Sequence, residues 1–161
     1  MSARGVGVSC RVAAGADDLE ACFGVRKEVF VAEQGVSEDL EYDEYDAGAT
    51  HVLAVRQDGV AVGTGRLLSG AAAAVKNGGD VSVGSLGRLA VTRAARGLGI
   101  GAALVTALEE AARERGLTAV DLHAQTQAMG FYERLGYVAY GPEFPDAGMP
   151  HRSMRKALGQ P

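Results

Sequence analysis

Three glycines at alternate positions, Gly97, Gly99 and Gly101, stand in Arg96-Gly97-Leu98-Gly99-Ile100-Gly101-Ala102, just before a stretch with helical periodicity. Glycine has no Cβ, so a ligand can approach its main chain closely, and the first N–H groups of a helix have no intrahelical acceptor. Together with the positive end of the helix dipole they form a site suited to phosphate. A flexible helix start packed against a sheet would use the same residues. Two other phosphate motifs fail here. A P-loop ends in Gly-Lys-Ser/Thr, whereas Gly101 is followed by Ala102-Ala103. Gly97-x-Gly99-x-x-Ala102 satisfies a dinucleotide fingerprint, with Asp121 about 20 residues on. That fingerprint turns directly from strand into helix, yet Thr92 to Arg96 intervene, and the 40 residues after Asp121 cannot supply the remaining βαβ units. A nicotinamide-dependent oxidoreductase is thereby disfavoured.

Among titratable residues, His123 shares a strand face with Asp121, opposite Val120 and Leu122. An imidazole, with its ordinary pKa near 6.5, can exchange a proton near neutrality; a structural histidine is the alternative. Six carboxylates and two tyrosines between Ser37 and Asp46 read as an exposed loop. Such a run either focuses a negative field that draws in a cationic ligand or is merely solvated. Cys10, Cys22 and three scattered histidines match no metal or redox spacing, so the thiols are read as reduced and no metal is expected.

These residues need elements to hold them. Val6, Val8, Cys10 and Val12 alternate as in a half-buried strand, and Asp17 with Glu20 has the spacing of a capped helix covering about 18–33. His51–Gln57 and Val60–Leu68 flank Asp58-Gly59, the signature of a hairpin with a type I′ turn. Ser69–Asp80 reads as a flexible connection, and a strand from about Val83 to Val91 follows. Ile100, Ala103, Leu104, Ala107, Leu108 and Ala111 share one helical face, with Glu109, Glu110, Arg113 and Glu114 off it and Gly116 as the stop. A strand over 118–124, a short helix over 127–135 closed by Gly136, and strands over 137–140 and 152–157 complete an α/β chain with a parallel βαβ crossover.

Composition sets the outer bounds. Gly supplies 23 of 161 residues, about twice the average share, without the period of collagen, and 47% hydrophobic residues argue for a globular domain over 1–161. Trp is absent, so the core must be aliphatic. A net charge of −4 and a pI near 5.4 give no basic footprint for nucleic acid. The longest uncharged run, Gly97–Leu108, is too short for a membrane span, and the N-terminal residues lack a signal-peptide core, so the chain is expected in the cytoplasm.

Leu89-Ala90-Val91, the Arg96–Gly101 loop and Phe131-Tyr132-Glu133-Arg134-Leu135-Gly136-Tyr137 together resemble the GNAT N-acetyltransferase family. Arg26–Gln34, His51, Ala124-Gln125 and Gly148-Met149-Pro150-His151 are similar to its ElaA/YjcF-like branch. The resemblance implies a mixed, largely antiparallel sheet of about six to seven strands with the crossover at an acetyl-CoA site. It implies acetyl transfer from acetyl-CoA, as co-substrate, to a primary amine by direct attack, and a homodimer. Leu89, Ala90 and Val91 would pair with the pantetheine arm. Arg96, Gly97, Leu98, Gly99, Gly101 and Ala102 would hold the pyrophosphate, Arg96 and Arg93 adding charge, and Gln125 would contact the pantetheine. Tyr132 would protonate the departing thiolate or merely pack. Many relatives carry a glutamate base two residues before Leu-Ala-Val, where this chain has Gly87. His123 and Glu33 are the replacements considered, with Glu143, His151 or a water chain beside them. The missing glutamate also leaves open a CoA-sensing module with little catalysis.

Overall fold

The computed structural model describes residues 2–3, 7–37 and 42–159, and the chain divides into two compact units. The first comprises Met1–Leu67 and Arg88–Ala111, the second Leu68–Gly87 and Ala112–Pro161. In the first unit the strands β1 (Ser2–Ala3), β2 (Val8–Val12), β3 (Thr50–Arg56) and β4 (Ala61–Leu68) form an antiparallel meander. Val6, expected in the first strand, lies outside the described residues. Helix α1 (Gly15–Arg26) starts before the expected Asp17 cap: the Ala14 N–H donates to the Asp18 carboxylate, 3.0 Å away. It continues as a π-helix over Lys27–Glu33 rather than as an α-helix. The wider turn keeps Val29 buried beside Val25 and Ala90.

The β3–β4 turn is a hairpin, but not of type I′, which needs positive φ at both central residues. Gly59 alone in the turn has positive φ (86°). Its N–H bonds the Arg56 carbonyl while the Arg56 N–H bonds the Val60 carbonyl, giving a three-residue loop with a left-handed Gly at its end. The strand β5 (Val83–Val91) enters this unit at Arg88, and most of α3 (Ile100–Glu114) belongs to it. Helix α3 and strand β4 approach so closely that a Cβ on Gly63 would stand 2.8 Å from Leu104, and one on Gly65 2.7 Å from Leu108. Ile100, Leu104, Val105 and Leu108 are buried there, an aliphatic core as the missing tryptophans require.

In the second unit β5 pairs in parallel with β6 (Ala119–Gln125), and β6 pairs antiparallel with β8 (Met149–Ala157), which holds β7 (Val138–Asp146) at its other side. The mixed sheet and the crossover through α3 agree with the sequence. The expected flexible connection instead contains helix α2 (Ala71–Asn77), closed by Gly78 in the left-handed region. Asn77 orders the residues after this helix, its side-chain amide donating to the carbonyls of Asp80 and Val83. Glu109, placed off the apolar face by its periodicity, is buried. Helix α4 (Met129–Arg134) comes after a 3-10 turn at Thr126–Ala128, and β7 and β8 both run longer than expected. They meet in a turn at Ala147 and Gly148, both with positive φ.

Candidate functional site

In the first unit, β5 changes character at Arg88. Its parallel register with β6 runs from Val83 to Leu86, and Arg88, at φ 51°, then turns the strand through the left-handed region. Leu89, Ala90 and Val91 come after this break, which re-aims their backbone as a bulge does. The chain next makes a 3-10 turn over Arg93–Ala95, buries Ala95, and reaches the glycine loop. Gly97 (φ 80°) and Gly99 (φ 81°) occupy the left-handed region, and a Cβ on either would meet nothing within 4 Å. The helix opens with the bond from the Ala103 N–H to the Gly99 carbonyl, so the amides of Gly99 to Ala102 are the first-turn donors. This open backbone fits a phosphate. Leu98, 45% exposed, and Ile100 border a cavity of about 810 Å³ that also touches Arg93 and Val62.

Arg96 is engaged elsewhere. Its Nε donates to the Val91 carbonyl (3.0 Å) and both terminal nitrogens grip the Glu33 carboxylate (2.8 and 2.7 Å), with Arg93 a further 3.5 Å contact. Arg96 thus ties the loop to the end of the π-helix. The Arg96 hydrogen bond, against slight burial, holds the Glu33 carboxyl below its ordinary range.

In the second unit, Tyr132 on α4 is buried, edge-on to Phe131 (5.0 Å) and Tyr137 (5.9 Å). Burial pushes its phenol up to about 12, so it keeps its proton through neutral pH. The β6 residues Asp121, His123 and Gln125 share one face, as their spacing predicted. Opposite them on β8 stand Arg155, Ser153 and His151, and beyond these on β7 Val138, Tyr140 and Phe144. The Gln125 amide oxygen accepts from Gln127. His123 is partly exposed, its Nε2 4.0 Å from Asp121 Oδ1 and its ring edge-on to Phe144 at 5.1 Å. One step past the last β5–β6 register pair, Leu86 with Leu122, the two strands carry Gly87 and His123. His123 therefore stands on the strand beside the position that lacks a glutamate. Glu33 belongs to the other unit. Glu143 lies at the irregularity in β7, and His151 Nδ1 bonds the Met149 carbonyl.

The acidic run corrects one expectation. Glu38–Glu41 lie outside the described residues, but Asp43 and Asp46 are not a solvated field. Asp46, 8% exposed, accepts from Arg26 through both oxygens (2.7 and 3.3 Å) and from Arg66 (2.9 Å). Asp43 bridges Arg66 (2.7 Å) and Arg88 (3.1 Å). Arg26 and Arg66 are almost wholly buried. Burial raises the Asp46 carboxyl, but Arg26, the Asp43 amide and Arg66 together outweigh it and bring it to about 2. Nothing within the run marked these aspartates as buried, because their arginine partners stand on other elements.

A family model described as an acetyltransferase (GNAT) domain matches residues 13–158. An acetyltransferase of Bacillus subtilis is 42% identical over 142 residues, covering 86% of this chain and 89% of its own. The N-acetyltransferase YjcF of the same organism is 38% identical, with 90% and 96% covered. Among solved structures, an N-acetyltransferase from Lactobacillus plantarum superposes with a TM-score of 0.83 at 31% identity, covering 94% and 99% of the two chains. An acyl-CoA N-acyltransferase from Pseudomonas aeruginosa gives 0.76 at 32% identity, covering 93% and 98%. With the motifs in order and the loop, strand break and crossover in place, the chain belongs to the GNAT acetyltransferase family and is an acyltransferase.

Proposed function

We propose that the chain transfers the acetyl group of acetyl-CoA to a primary amine by direct attack, with no acyl-enzyme. The observation that carries this reading is the pair of left-handed, unobstructed glycines, Gly97 and Gly99, at the start of α3, after a strand broken at Arg88. Acetyl-CoA, when bound, supplies an activated acyl group whose thiol is the leaving group. The amides of the Gly97–Ala102 segment hold its pyrophosphate, and the backbone of Leu89–Val91 aligns the arm and offers an N–H to the carbonyl oxygen. Arg96 shapes the loop through Glu33 and Val91, leaving the amides as the main phosphate donors.

His123 removes the proton from the incoming ammonium group, and Tyr132 donates its proton to the departing sulfur. Glu33 is the lesser base candidate, because its two arginine partners hold it in the weakly basic carboxylate form. Gln125, at the end of β6, orients the pantetheine amide. The enzyme works as one catalytic domain over 1–161, in the cytoplasm, without metal, and as a homodimer.

The test is thermal unfolding with acetyl-CoA, CoA or NAD, and then thiol release in the presence of a panel of primary amines. A ligand at 100 times its Kd adds about 2.7 kcal/mol to the native state. Stabilisation by acetyl-CoA with amine-dependent thiol release is the expected result. Stabilisation by NAD alone overturns the reading, and stabilisation by acetyl-CoA without release by any amine makes the chain a CoA-sensing module.

A further inference from the structure

The strongly polar face of the second unit's sheet contains a buried carboxylate that the acetyl transfer proposed above does not use. Asp121 is 1% exposed, the third residue of β6, on the same face as His123 two residues later. One of its oxygens, Oδ2, is committed: it accepts from Arg155 Nε at 3.0 Å and from the Tyr140 hydroxyl. Its other oxygen, Oδ1, lies 4.0 Å from His123 Nε2, within ion-pair range. Phe144 on β7 sits edge-on to the imidazole and limits the directions in which the ring can turn. Other polar groups on this face are Ser85 on β5, in register with Asp121, Gln125 on β6, Ser153 and His151 on β8, and Tyr140 and Arg155, which already serve Asp121.

We infer that Asp121 and His123 form a dyad in which Asp121 is a positioning residue: it accepts from His123 Nε2–H and thereby presents the Nδ1 lone pair as the proton acceptor. The catalytic consequence rests on the reading of His123 as base given above. In the step, one N–H bond of the substrate ammonium breaks and its electron pair stays on nitrogen as the attacking lone pair. The Nδ1 lone pair forms the new N–H bond, Asp121 stabilises the resulting imidazolium, and the proton later leaves to solvent. A carboxylate that fixes the imidazole tautomer serves hydrolytic triads in the same way, where the asparagine variant presents the wrong tautomer. The same logic makes Asp121→Asn informative. Arg155 and Tyr140 are both donors, so they retain the asparagine oxygen, and the amide NH₂ is left facing His123 Nε2.

Long-range ¹H–¹⁵N spectra of the full chain read the tautomer directly, and three histidines make assignment by single variants practical. The expected result is protonation at Nε2 in the unsubstituted protein. In Asp121→Asn it should move toward Nδ1, with kcat falling roughly 100-fold and the KM for acetyl-CoA held within about threefold. Protonation at Nδ1 in the unsubstituted protein overturns the dyad without recourse to any variant, so a poorly folding Asp121→Asn does not rescue it. An Nε2–H ring with unchanged kcat in Asp121→Asn overturns it too. Full activity in His123→Gln, by contrast, removes the base reading itself, and the tautomer measurement separates that failure from the failure of the dyad.

Discussion

Tyr132 illustrates how burial can prepare a side chain for one role. Its ring packs edge-on to Phe131 and Tyr137 and burial keeps its phenol protonated, so Tyr132→Phe removes the hydroxyl proton without removing ring packing. We expect kcat to fall roughly 100-fold, with the unfolding free energy changed by less than about 1 kcal/mol. Thiol-release kinetics beside urea unfolding check both parts; unchanged turnover and pH profile would assign the residue to packing alone. Asp46 has the opposite character. Asp46→Asn leaves two buried arginines short of a counter-charge and should cost about 3–5 kcal/mol in urea unfolding. Its folded carboxyl titrates below the unfolded one, so its contribution is present above about pH 4 and is lost as pH falls toward 2. That contribution is about 2 kcal/mol, read as the difference in acid unfolding between the two proteins. Single residues of the cofactor segment were legible because their chemistry is local. Asp43 and Asp46 were not, because their partners Arg26, Arg66 and Arg88 come from three separate elements, and a run of carboxylates read alone looks solvated.

At the scale of elements, the glycines show what local pattern conveys and what it omits. Gly97 and Gly99 announced themselves by spacing, and their left-handed backbone is what the phosphate loop requires. Gly63 and Gly65 gave no such signal, because their role is a contact between β4 and α3 that exists only in three dimensions. Gly65→Ala places a methyl 2.7 Å from Leu108 and should cost about 1–3 kcal/mol, measured by denaturant unfolding. The longest helix was readable from its apolar stripe, whereas the π-helix over Lys27–Glu33 and the turn at Ala147-Gly148 were not. Alanine is a rare choice at positive φ, so nothing in Asp146-Ala147-Gly148 marked a tight turn. Ala147→Asn, a residue that tolerates the left-handed region, should stabilise the chain by about 0.5–1 kcal/mol, seen as a higher Tm.

Over the whole molecule, the mixed sheet, its crossover and the family were all legible, because they rest on the order of elements and on motifs at set spacings. Residues brought onto one face from distant strands, such as Asp121, Arg155 and Tyr140, were beyond that kind of reading: strand order is decided by long-range pairing. Gly87 links the scales. Its Cβ would meet nothing within 4 Å, its backbone is not left-handed, and it follows Leu86, the last β5 residue in register with β6, as His123 follows Leu122. In the mechanism proposed above, the imidazole of His123 on the neighbouring strand takes the place of the carboxylate absent at Gly87. The most direct test tracks the acetyl group itself. The protein is mixed with acetyl-CoA and a primary amine that supports thiol release, and acetyl on amine, acetyl on protein and free thiol are quantified together by mass spectrometry. Direct transfer predicts one acetylated amine for each thiol released, with none on the protein and little release when the amine is omitted. Equal thiol release with and without amine, or acetyl accumulating on the protein ahead of the amine, would contradict it.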